Sequence, residues 1–314
     1  MNRLANTKLK LRKLVAVVVM VAVLTGCTSG ATPAAGDAAS FVELAQERLG
    51  SLAGVEDITV SQYPRDPDAD PTALNGLDAT LWGVELTVSM AETATAEEVT
   101  AAAVAGASFS TDEAVDGKWT ARLLAGPERT VPEDDTSSRR AVTLEVFPVS
   151  DLPLEDVVES ALRISTSPGV DSVSTFQGRT AVTSPDAASL AVAYDGVSAE
   201  SLLATGGDYR TVDGRVQLTV LSEQVSPAVT RAIIAQAASY PAADVALVAP
   251  LDGPSAPSLF FNRVAEGEAT AILAALTDPA LASELVAPFT IPIAIRANTG
   301  DQGGFVGNVD PAAP

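Results

Sequence analysis

The sequence predicts an α+β protein whose antiparallel sheets carry their helices on one face and leave the other face open. Three observations predict it. Trp82, Val84, Leu86, Val88 and Met90 alternate with Gly83, Glu85, Thr87 and Ser89, which makes one strand face apolar and the other polar. Val142, Leu144 and Val146 against Thr143 and Glu145, then Val216, Leu218 and Val220 against Gln217 and Thr219, repeat the pattern. Strands of a doubly wound parallel sheet are buried on both faces and would read as continuous apolar runs instead. Between the strands lie segments of helical spacing with their own start and stop residues. Apolar residues make up 47% of the chain and aromatics 4%, so the core filling these layers is aliphatic.

Taken in order, Ser40 and Glu43 make a capping box ahead of Phe41, Leu44, Ala45, Arg48 and Leu49, and Gly50 supplies a stop. Thr95 and Glu98 form a second box before an Ala/Val-rich helix that runs to about Ser110. Strands are expected over Trp119–Ala125, Ala141–Phe147 and Val170–Phe176, with a helix from Pro153 through Leu162 between the last two. Leu190–Tyr194 reads as a further strand, followed by a short helix capped by Ser198 and closed by Gly206-Gly207. The Asp213-Gly214 turn suggests a hairpin leading into Arg215–Val220. Ser226-Pro227 is an N-cap with an N1 proline, Val245–Val248 and Leu259–Arg263 are strands, and Gly267–Leu276 and Pro279–Ala287 make a last helical pair. Pro292 confines the final strand, Ile291–Ile295, to an edge.

Strand–helix–strand is thus written several times, in the order of the split βαβ, or ferredoxin-like, pattern. The expected architecture is two ferredoxin-like modules, over 41–185 and 186–298, because the chain exceeds the usual size of one core. A Gly/Pro-rich tail over 299–314 is expected to be disordered.

The first 26 residues read differently. Arg3, Lys8, Lys10, Arg12 and Lys13 precede an uninterrupted apolar run from Leu14 to Leu24, the layout of a secretory signal. At about 1.5 Å per residue that run covers roughly 16 Å, too short for a hydrocarbon core of about 30 Å. It closes on Leu24-Thr25-Gly26-Cys27, which holds the sole cysteine of the chain. This tetrapeptide resembles the lipobox of bacterial lipoproteins. The resemblance implies cleavage after Gly26 and a diacylglyceryl group on Cys27, which becomes the first mature residue. Two acyl chains bury about thirty methylenes and hold the protein to a bilayer by on the order of 20 kcal/mol. Residues 27–40 then read as a tether with a reach of roughly 20 Å.

The mature chain keeps 14 basic residues against 40 acidic, a net charge of −26. Nucleic acid and anionic lipid are both repelled by such a body. Its alanine, valine, aspartate and arginine bias, with Lys118 the only lysine after the signal, resembles that of high-GC actinobacterial proteins. Histidine is absent, so histidine-based nucleophile activation and histidine metal ligands are excluded. Lipid on Cys27 would remove thiolate chemistry as well, and no phosphate-cradling glycine motif occurs.

What remains is weak as chemistry. Asp66, Asp68 and Asp70 begin like a calcium loop, but Pro71 stands where glycine is needed and Leu77 where a bidentate glutamate is needed. Glu133-Asp134-Asp135 is a second acidic loop. Trp82 and Trp119 occupy apolar strand positions, which suits core better than a sugar platform, and Lys118 reads as a turn residue. The open sheet face is the least arbitrary functional surface. Glu85, Thr87, Ser89, Thr120, Arg122, Thr143, Glu145, Gln217 and Thr219 are expected to line it, with Glu85, Thr87, Arg122, Glu145 and Gln217 as the binding candidates. The expectation is a non-enzymatic, cofactor-free envelope lipoprotein that meets a protein partner. The alternative is a solute- or cation-binding lipoprotein with a polar cleft between its two domains.

Overall fold

A computed structural model describes residues 43–64, 82–108, 119–130, 139–145, 152–176, 178–248, 257–282 and 293–297. A helix over residues 43–49 (α1) leads to β1 (Val55–Pro64), which pairs antiparallel with β2 (Trp82–Met90). One figure then repeats. A helix crosses the sheet, the next strand lands parallel beside the last one, and an antiparallel hairpin follows. In this way α2 (Ala96–Ser108) leads to β3 (Trp119–Glu128) and β4 (Arg140–Glu145), and α3 (Leu154–Ser165) to β5 (Ser172–Phe176) and β6 (Arg179–Ser184). Helix α4 (Ala187–Val197) and a 3-10 turn (Ser201–Leu203) lead to β7 (Gly206–Thr211) and β8 (Val216–Leu221). Then α5 (Pro227–Ser239) leads to β9 (Asp244–Val248) and β10 (Ser258–Val264), and α6 (Glu266–Leu276) with α7 (Pro279–Ala282) to β11 (Ile293–Ala297). All eleven strands lie in one mixed sheet in chain order.

Side-chain chemistry fixes where three of the helices begin. Thr95 and Glu98 cap α2 reciprocally: the Thr95 N–H donates to Glu98 Oε2 at 2.8 Å, and the Glu98 N–H donates to Thr95 Oγ1 at 3.2 Å. Asp186 caps α4 by accepting the Ser189 N–H at 2.7 Å, and Ser226 caps α5, with Pro227 in its first turn. The strands are set by alternation. Val142, Val173, Val182, Tyr209, Leu218, Leu247 and Leu259 sit opposite one another on successive strands, and all seven are buried. The strands from β2 to β10 turn most of their buried residues to this same side, with Ala141 of β4 and Thr183 of β6 buried on the other. There they join one core with Val99 of α2, Val158 and Ile164 of α3, Leu190 and Tyr194 of α4, Ile233 and Ile234 of α5, and Ile272 of α6. A single helix layer thus covers one sheet face, and each fully buried aliphatic side chain in between contributes about 1.5–3 kcal/mol.

The expectation of two ferredoxin-like modules with antiparallel sheets is overturned by this architecture. In a split βαβ the second crossover returns past the first strand. Here each crossover lands on the free edge of the growing sheet, so parallel and antiparallel pairs alternate without a break. The sheet also runs straight through the expected boundary at 185/186, since Ala181–Ser184 of β6 pair with Asp208–Thr211 of β7. Leu190–Tyr194 is helix rather than strand. The Asp186 cap starts α4, which buries Leu190, Ala193, Tyr194 and Val197, a helical spacing that local alternation of apolar and small residues masks. Ser198 is the C-cap of that helix, and Gly206-Gly207 open β7 rather than close a helix. Strands β1, β6 and β7 are additional to the expected set.

An internal repeat also emerges. Arg48-Leu49 and Gly54-Val55-Glu56 recur as Arg163-Ile164 and Gly169-Val170-Asp171. Gly54 (φ +79°) and Gly169 (φ +81°) both turn the chain from helix to strand in the left-handed region. The acids that follow are also equivalent. Glu56 pairs with Arg140 at 2.7 Å and Asp171 with Arg129, so the β3–β4 hairpin is held from both sides.

Candidate functional site

The sheet face turned away from the helices is built from the second parity of each strand. Glu85 and Thr87 of β2 lie opposite Thr120 and Arg122 of β3, and Arg122 in turn lies opposite Glu145 of β4. Arg122 reaches back to Glu85 at 2.7 Å. Ser89, Leu124, Thr143, Ser174, Ala181, Asp208 and Thr219 form one row across seven strands. Thr183, Arg210, Gln217, Ala246 and Phe260 form the next.

The expected residues are therefore brought to one face, but not to one spot. Glu85, Thr87, Arg122 and Glu145 cluster on β2–β4, whereas Gln217 stands on β8, where its Nε2 donates to the Gly214 carbonyl at 3.0 Å. The centre of the face joins the expected Thr219 to residues that the sequence reading missed. Arg179 Nη2 donates to Asp208 Oδ1 at 2.9 Å, and the Thr219 hydroxyl donates to the same oxygen at 2.8 Å. Arg210 Nε donates to Thr183 Oγ1 at 3.1 Å. Phe176 ends β5 and Val248 ends β9 on this face, and they are 54% and 52% exposed. The alternation Arg179-Ala181-Thr183 against Thr180-Val182, and Asp208-Arg210 against Tyr209, is the signal that would have found them.

Charge is divided unequally between the two sides. Along β2–β10 the open face carries Glu85, Glu145, Asp208 and Asp244 among Arg122, Arg179, Arg210 and Arg263, the last paired with Asp244 at 3.3 Å. Helices α2–α6 carry Glu97, Glu98, Glu155, Asp156, Glu159, Asp195, Glu266 and Glu268 against Arg163 and Arg231. Of the two sides, the helix layer is thus the more acidic.

Within that layer polar groups work as fasteners. Glu200, just before the 3-10 turn, accepts from Arg163 Nη2 at 3.0 Å and from the buried Ser160 hydroxyl at 3.1 Å. The hydrogen bond from Arg163 holds the Glu200 carboxyl below the usual carboxylate range against partial desolvation, with Ser160 adding to it. Tyr194 packs edge-on to Tyr209 with ring centres 4.9 Å apart, and burial pushes both hydroxyls up in pKa. Arg231 covers Tyr194 at 5.8 Å and pairs with Asp195 at 2.6 Å, which ties α5 to α4.

Leu24, Thr25, Gly26 and Cys27 lie outside the described residues, as do Asp66, Asp68, Asp70, Glu133–Asp135, Lys118 and the tail over 299–314. Among the described residues no group of three or more histidine, cysteine, aspartate or glutamate side chains could hold a metal ion, and no helix is long and apolar enough to cross a membrane. The chain matched no protein-family model, no curated protein and no solved structure.

Proposed function

We propose that this protein is a non-enzymatic lipoprotein of the cell envelope, tied to the extracytoplasmic face of the membrane through Cys27 and offering its open sheet face to a protein partner. One observation carries the partner half of this proposal. Among the described residues the sheet of eleven strands carries helices on one side only, and the other side mixes small apolar residues with polar and charged ones whose charge is nearly balanced along β2–β10. The anchoring half rests on Leu24-Thr25-Gly26-Cys27 after a basic and then an apolar segment. A mature charge of −26 makes nucleic acid an unsuitable partner.

Two other readings draw less support. A carboxylate hydrolase needs two carboxyl groups facing each other across a groove. Glu85 and Asp208 are instead each bonded to an arginine. A solute-binding lipoprotein draws on a cleft between two domains, whereas β6 and β7 join the two halves of the chain in one sheet.

The anchoring test is Cys27→Ser in a bacterial host that matures lipoproteins. Wild-type protein is expected in the membrane fraction with an intact mass increased by the lipid, and the variant in the soluble exported fraction without it. Wild-type protein with no added mass, or a variant that stays with the membranes, overturns the proposal.

A further inference from the structure

We infer that the partner taken by the open face is a second copy of this chain, an inference that rests on the reading of that face as a protein-docking surface. Charge complementarity carries it. Docking through the helix layers would bring two surfaces together that each have eight acids against two arginines on α2–α6. Those charges would lie within a Debye length, about 8 Å at physiological salt. Packing the open faces together does the reverse. Facing sheets sit about 10 Å apart, and a helix layer lies about 10 Å beyond each, so the two acidic layers stand roughly 30 Å apart and screened.

The surface in between is self-complementary. Acids and arginines alternate along it, so a two-fold axis can set an arginine of one copy against a carboxylate of the other. Glu85–Arg122 and Arg179–Asp208 show the same pairing within one copy. Phe176 and Val248 end strands that run in the same direction, four positions apart in the sheet. That places two exposed apolar side chains about 19 Å apart at one end of the face, where they can act as anchors. Eleven strands at about 4.8 Å by five residues at about 3.3 Å give a face of about 870 Å², the order that a stable interface buries on each partner.

The test uses full-length, membrane-anchored protein. A lipidated Cys27 offers no thiol, so a single introduced cysteine reports on its own surroundings. Thr87→Cys, Ala181→Cys and Gln217→Cys sample the open face, and Val192→Cys, 55% exposed on α4, is the control on the helix layer. Mild oxidation is expected to give a band of twice the mass from at least one open-face variant and none from Val192→Cys. In mild detergent the wild-type chain is expected to sediment as a dimer, and Arg179→Glu, which sets like charges together, to weaken dimerisation on the order of tenfold or more. Dimers formed only through Val192→Cys, a monomer by both measurements, or an open-face band that contains a different protein each overturn the inference. If they do so while Cys27→Ser behaves as expected, only the identity of the partner fails. Wild-type Cys27 without lipid fails the anchoring proposal instead.

Discussion

Glu200 shows how one side chain joins two elements of the helix layer. Its carboxylate receives Arg163 and the buried Ser160 hydroxyl of α3, and it stands at the start of the 3-10 turn that leads into β7. Because the folded-state pKa is depressed, the stabilisation is complete above the unfolded carboxyl pKa of about 4.3 and is lost as pH falls through the lower folded value. Glu200→Gln is expected to cost about 1 kcal/mol near neutral pH, since the pair is partly exposed. The gap from wild type should close in urea titrations carried below pH 4, and a gap that stays constant with pH would show that the carboxylate charge plays no part. Residue roles were legible wherever their strand was. Glu85 and Arg122 follow from the alternation of β2 and β3, whereas Arg179 and Asp208 escaped because β6 and β7 escaped. Glu200 belongs to no periodic pattern, and its partners lie 37 and 40 positions away.

At the scale of elements, the starts were easier to see than the types. The Thr95–Glu98 box and the Ser226-Pro227 cap are local chemistry and stand where the sequence places them. Leu190-Ala191-Val192-Ala193-Tyr194 also satisfies a period of two, and only the Asp186 cap and the wider spacing through Val197 mark it as helix. Gly206-Gly207-Asp208 looks like a loop because its β character comes from neighbours: β6 on one side and β8 on the other. The helix-to-strand turn at Gly169 is the least forgiving joint. A Cβ there would stand 2.3 Å from the Ser189 carbonyl oxygen, on a backbone with φ +81°. Gly169→Ala is therefore expected to cost about 2 kcal/mol or more, read as a lowered urea midpoint. At Gly54 an added Cβ would meet side-chain carbons at 3.1–3.2 Å, so Gly54→Ala should cost less. Equal losses at the two sites would contradict the difference in their surroundings.

For the whole molecule, the alternation of hairpin and crossover was visible in the sequence, but the docking site of each strand was not. Two ferredoxin-like modules and one continuous sheet share nearly the same list of elements. They differ in which strand neighbours which, a long-range property that periodicity does not encode. The choice has a geometric cost. Strand direction reverses at every hairpin while each new strand joins the same edge, so helices kept on one face require crossovers of alternating hand. Right-handed crossovers otherwise prevail almost without exception. Units that touch mainly their immediate neighbours should also differ in local stability, as in repeat proteins. Hydrogen exchange is expected to show the slowest amides in β4–β9 and the fastest in β1 and β11, and uniform protection from end to end would count against it. The chain order of the strands finally bears on how such a protein is made. No strand has to leave a gap for a later one, so a polypeptide threaded outward from its N-terminus can add each helix and hairpin to a template that is already in place.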